Sequence, residues 1–159
     1  MPRIALDAVP VRSGSLLPEP HAATMAGRHQ KALGDAGGLT QFGVNLVTLD
    51  PGAASSPRHW HREEDEFVMV LAGRPTLVED EGPRTLGPGD CAAFPAGVPD
   101  GHTLLNETAE EVRLLVVGTR APREVGTYSD VDLRIEIEGR DHRFTRRDGT
   151  PLDEQGGQG

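Results

Sequence analysis

From Leu39 to Thr119 the chain is a succession of short apolar runs cut by turn residues, and this texture constrains its fold more than any other feature. Phe42 to Leu49 ends at Asp50-Pro51-Gly52, where Pro presets one backbone angle and Gly supplies the left-handed one. Pro57–His61, Glu66–Leu71 and Thr76–Glu79 follow, the last bounded by Asp80-Glu81-Gly82-Pro83. Arg84–Leu86, Cys91–Phe94, His102–Leu105 and Val112–Val117 continue the series, separated by Gly/Pro or Asn turns. The last run is apolar enough to imply a strand buried on both faces. Strands this short, at this spacing, fit an all-β sandwich or barrel.

The flanks read differently. Residues 1–38 are rich in Pro, Gly and Ala, with breaker clusters at Ser13–Pro20 and Gly34–Gly38. They read as an irregular N-terminal arm with one short helix between His21 and Leu33, too short for a helix-turn-helix unit. Residues 121–159 form a polar extension. In it Asp132–Glu138 alternates as an edge strand, and Asp153–Gly159 is expected to be disordered. The central domain is therefore residues 39–120.

Composition removes several classes of function. A net charge of −9 argues against nucleic acid and anionic membranes as partners. No apolar run approaches a bilayer span, and the first residues lack a signal-peptide core. A single cysteine, Cys91, forbids an internal disulfide and fits a reducing cytoplasm. Lys31 is the sole lysine, so Schiff-base chemistry inside the barrel is ruled out.

Chemistry concentrates at His59-Trp60-His61. On a strand, alternate side chains share a face, so the two imidazoles lie together and Trp60 takes the other side. Glu66 opens the next run and His102 precedes a third. Three imidazoles and a carboxylate suit a divalent transition metal: Fe, Mn, Ni, Co or Zn. Glu64 has the same parity as Glu66 and is the alternative carboxylate. If Glu66 points inward, so do Val68 and Val70, leaving Phe67, Met69 and Leu71 outside. Such a row calls for a second layer, either the arm or another subunit, and a homodimer is expected.

These residues carry a resemblance to the cupin superfamily. Gly52, His59, His61, Glu66 and Gly73 match its first motif with one extra residue after Gly52. Gly89, Pro95, Gly97, His102 and Asn106 match its second, with a loop two residues longer before His102. The resemblance covers about residues 39–120 and implies a double-stranded β-helix, or jelly roll, with His59, His61, Glu66 and His102 as metal ligands. The whole chain also resembles small bacterial single-domain cupins loosely described as sugar-phosphate-isomerase-like.

The remaining polar residues have ordinary readings beside functional ones. Asp100 is a turn residue or a base at the barrel mouth. Asn106 caps a turn, and Cys91 is a small buried apolar group. Asn45 makes a structural hydrogen bond or contacts substrate. Arg58, Arg74, Arg84 and Arg113 read as surface charges, with Arg58 out of phase with the histidines. The expected function is a metalloenzyme acting on a small polar, oxygen-rich metabolite. In an isomerase, Glu66 or Asp100 would remove a proton next to a metal-held carbonyl. An Fe(II)-dependent dioxygenase and a non-catalytic ligand-binding module are the alternatives. No arginine cluster for a phosphate clamp is visible in the sequence.

Overall fold

The computed structural model describes residues 3–139 and 141–152. Its strands are β1 (Arg12–Ser13), β2 (Arg28–Ala32), β3 (Phe42–Leu49), β4 (His59–His61), β5 (Glu66–Ala72) and β6 (Thr76–Glu79). They continue as β7 (Gly82–Thr85), β8 (Cys91–Phe94), β9 (Thr103–Leu105), β10 (Val112–Thr119), β11 (Arg123–Tyr128), β12 (Arg134–Glu138) and β13 (Asp141–Thr145). One α-turn, α1 (Leu33–Ala36), and two 3-10 turns complete the described elements. The expectation of disorder at Asp153–Gly159 lies outside the described residues.

The strands form three antiparallel sheets. The largest runs β1-β2-β3-β10-β5-β8; the others are β13-β12-β11-β4 and β7-β6-β9. Val47, Leu49, Val68, Val70, Leu104, Val112 and Leu114 are buried in one core cluster between them. Leu49, Val112 and Leu114 are fully buried, each side chain contributing about 1.5–3 kcal/mol. Cross-strand register fixes the inner face: Val47 opposes Leu114, which opposes Val70, while Val116 opposes Val68. The parity expected for β5 holds, with Val68 and Val70 buried and Phe67 and Leu71 at 39% and 46% exposure.

Four local readings differ from expectation. The segment His21–Leu33 is a 3-10 turn at His21–Met25 followed by β2, which pairs with β3. Sheet pairing overrides the weak helical preference there. The arm thus extends the main sheet at its edge and leaves Phe67 and Leu71 uncovered. β12 is an interior strand, because Gly139, at φ +63, turns the chain back into β13. Cys91 is exposed, since it stands opposite Met69 on the outer face. In β10 the outer face is only partly covered, with Arg113 exposed and Leu115 and Val117 half-buried.

A second core cluster joins the two flanks: Leu17 and Met25 from the N-terminal segment pack with Tyr128 and Leu133. This fastens the arm over one end of the barrel.

Candidate metal centre

β4 presents His59 and His61 on one face, as period-two geometry requires, with ring centroids 4.9 Å apart. His102 reaches them through a narrow antiparallel bridge. Its N–H donates to the His59 carbonyl (2.9 Å) and its carbonyl accepts from the His59 N–H (3.2 Å). Their rings lie 4.8 Å apart. The long loop before His102 therefore does not displace it. At Gly101 a Cβ would stand 2.0 Å from Ser129 Oγ, so only glycine lets the loop pass. Phe94 stacks on the His102 ring at 3.5 Å and 4°, fixing its plane.

Glu66 enters from the start of β5. His59, His61 and Glu66 each offer a ligand atom within 4.8 Å of the others. His102 Nε2 donates to Glu66 Oε2 at 2.9 Å, and His61 Nε2 stands 3.6 Å from the same oxygen. The three expected imidazoles thus gather about the Glu66 carboxylate. The donor set fits a divalent transition ion, and the Nδ1 atoms of His61 and His102 are both buried without a hydrogen-bond partner. His59 Nδ1 donates to the Pro57 carbonyl (3.2 Å), with Ser56 Oγ at 3.0 Å, which frees Nε2 as a donor atom.

The electrostatics of His59 and Glu66 suit metal ligands, whereas at His61 burial is outweighed by the pull of Glu124 and Glu66, which raises the pKa. Burial, aided by its two imidazole neighbours, lowers the His59 pKa to about 3, against the pull of Glu66. Burial alone would raise the Glu66 pKa, but the His102 hydrogen bond and the three imidazoles outweigh it and lower it to about 2. A neutral imidazole beside an ionised carboxylate is the protonation pattern that a cation selects.

Behind His61 stands a residue that the sequence did not disclose. Glu124, on β11, has a fully buried side chain with Oε1 3.5 Å from His61 Nδ1. Its two oxygens accept from the backbone N–H groups of Arg62 and Glu63, both at 2.8 Å. Burial would raise its pKa; the adjacent His61 ring and the hydrogen bonds from these amides prevail and hold it low. Glu64 lies on this side of His61, grouped with Glu124, and accepts from the Ala121 N–H at 2.8 Å. The alternative carboxylate therefore belongs to a second group that could hold an ion, His61, Glu64 and Glu124, which shares His61 with the first.

His59, Glu66 and His102 line a cavity of about 650 Å³, while His61 faces a smaller pocket of about 110 Å³. Tyr128 lines the larger one, cross-strand from His59 with ring centroids 5.9 Å apart. Burial pushes the Tyr128 pKa up to about 12, so it remains a neutral hydroxyl. Asp100 lines the smaller pocket, beyond Phe94 and His102, and accepts from the Asp80 N–H at 2.9 Å. Asn106 is buried and caps the turn after β9, donating to the Leu49 and Glu110 carbonyls. Asn45 accepts from Gln30 Nε2 at 2.8 Å. Arg58 does point away from the histidines, but its side chain is mostly buried: it donates to the Gly101 carbonyl and pairs with Asp80 and Asp130. Arg84 and Arg113 form exposed ion pairs with neighbouring glutamates.

Residues 45–118 match the model of the cupin domain. A solved structure from Silicibacter pomeroyi, a cupin-superfamily sugar phosphate isomerase, is 52% identical. The match covers 96% of this chain and 98% of that one, with a TM-score of 0.93. This chain belongs to the cupin superfamily. A candidate sugar phosphate isomerase from Acidithiobacillus ferrooxidans is 30% identical over 80% of this chain and 81% of that one, at a TM-score of 0.72. A polyketide cyclase from Streptomyces resistomycificus is 25% identical over 75% and 79%, at 0.61. No functionally curated protein matches. The cupin jelly roll is thus shared by proteins described with different chemistries, and the fold alone does not choose between them.

Proposed function

We propose that this cupin is a metal-dependent isomerase of a small polar, oxygen-rich metabolite, a sugar or sugar phosphate. The observation that carries the reading is the grouping of His59, His61 and Glu66, with His102 bonded to Glu66, beside a cavity of about 650 Å³ that His59, Glu66 and His102 line and that is large enough for such a molecule. The likeness to the Silicibacter pomeroyi protein over nearly the whole of both chains supports it.

Fe, Mn, Ni, Co or Zn would be held by the four residues, and when bound supplies Lewis acidity toward a carbonyl oxygen. The protein's own part is positional. β4 and the His102 bridge fix the three imidazoles, and Phe94 locks one ring. Tyr128 directs a neutral hydroxyl donor at a substrate oxygen beside His59. Glu66 and Asp100 are the candidate bases. Glu66 is the one lining the main cavity; Asp100 would act from the adjoining pocket. Apolar walls from Val47, Val68, Leu104 and Leu114 exclude water around the reacting carbons.

The test is proton NMR in D₂O with metal-loaded protein and a panel of aldoses, ketoses and their phosphates. Deuterium entry at the carbon next to the carbonyl, with interconversion of isomers, is expected, and both vanish in His59→Ala/His61→Ala. Substrate-dependent oxygen uptake without exchange would replace the reading with a dioxygenase. Ligand-dependent stabilisation without any turnover would replace it with a binding module.

The homodimer remains part of the proposal, because the Phe67–Leu71 row stays exposed in a single chain. Light scattering should return twice the chain mass of 17.0 kDa. A clean monomer at micromolar concentration contradicts it.

A further inference from the structure

The N-terminal segment carries a half-buried cation into the cavity. β2 pairs with β3 so that Arg28 opposes Leu49 and Gln30 opposes Val47, two residues of the inner face. Arg28 and Gln30 therefore point inward. β1 adds Arg12 opposite Gln30, and all three line the same cavity as His59, Glu66 and His102. Arg28 donates from Nη2 to the neutral Gln30 Oε1 at 2.7 Å. Its Nε is buried without a partner, and among the described residues no carboxylate forms an ion pair with it. Gln30 in turn donates to Asn45, so this guanidinium is held in place by a relay of neutral amides.

A guanidinium in such surroundings is costly unless an anion meets it. Burial lowers the Arg28 pKa, and among the described residues Glu66 is the charge that opposes this. Glu66 is already committed to His102 and His61. The unmet Nε belongs to a planar guanidinium, a group whose geometry binds carboxylate or phosphate oxygens.

We propose that Arg28, with Arg12 at the rim, is an oxyanion subsite of this cavity. The molecule handled at the metal centre then carries a carboxylate or phosphate group in addition to its hydroxyls. This rests on the reading of the cavity as the substrate site and narrows it to anionic substrates.

Isothermal titration of the full chain with D-ribose, D-ribose 5-phosphate and D-ribonate tests it, in metal-free and cobalt-loaded protein. At least one charged probe should bind tenfold or more tightly than ribose. A preference for the phosphate or for the ribonate identifies the group. Arg28→Gln should abolish that preference, leave metal content unchanged, and melt at or above the native temperature, since it removes an unpaired charge. Arg28→Lys, which keeps charge but loses the planar guanidinium, should lose part of it. Equal or absent binding of charged and neutral probes overturns the subsite, as does a preference that survives Arg28→Gln. A fall in melting temperature with equal loss of all probes also overturns it, because that marks a structural role. If the native protein holds no metal yet keeps the charged preference through Arg28, the metal reading fails and the subsite stands.

Discussion

Truncating Glu124 to alanine is expected to weaken metal binding about ten- to a hundredfold, although Glu124 is not among the four ligands. Its carboxylate stands 3.5 Å from His61 Nδ1, on the side of the ring away from Glu66. The charge at that distance favours the tautomer with hydrogen on Nδ1 and a lone pair on Nε2. Without it the ring is free to choose the wrong tautomer or rotate. The same change strands the Arg62 and Glu63 amides, which now donate to the Glu124 oxygens. Two charge-assisted bonds of this kind make the expected stability loss about 3 kcal/mol. Glu124→Gln rescues poorly, because its NH₂ must face one of the two amide donors. Metal titration under conditions where the variant is fully folded separates the two effects. An unchanged metal affinity would show that Glu124 only supports the β4–β5 turn.

Glu66→Gln should have the larger effect on the metal and the smaller one on the fold. The glutamate is the one anionic member of the His59–His61–Glu66–His102 set. Gln keeps an oxygen that accepts from His102 Nε2, so the metal-free protein should melt near its native temperature. The neutral oxygen is a far weaker partner for a dication. Affinity is expected to fall at least about a hundredfold, equivalent to about 3 kcal/mol. A ligand that binds only the folded state raises the melting temperature. Native protein should therefore show a metal-dependent rise that chelator reverses, and Glu66→Gln should show almost none at the same metal concentration. An equal rise in both would remove Glu66 from the ligand set.

The barrel and its four convergent residues were legible because both signals are local. Gly and Pro mark turns through backbone geometry, so β3, β6 and β8 fall where the runs end. His-x-His is a pair on any strand, and the motif spacing brings Glu66 and His102 beside it. Glu124 and Arg28 were not legible, because each is inward only through long-range pairing. Glu124, Gly126 and Tyr128 alternate on β11, but the segment lacks an apolar row to betray its inner face. Arg28 lies in a polar stretch, Arg28-His29-Gln30-Lys31, whose strand character comes from β3 alone. No arginine cluster shows in the sequence, because Arg12 and Arg28 meet at the cavity only through the pairing of β1 and β2. The cavity is completed by the segment read as an irregular arm. Likewise Arg58 reads as a surface charge until the loop before His102 folds back onto it.

The central claim is that His59, His61, Glu66 and His102 hold a metal ion. Elemental mass spectrometry of protein purified without an affinity tag or chelator tests it most directly, beside the His59→Ala/His61→Ala variant. About one equivalent of Fe, Mn, Ni, Co or Zn per chain, lost in the variant while its β-sheet circular dichroism is retained, is the predicted result. Native protein without metal, which takes up none when each of these ions is supplied at neutral pH, would contradict the account.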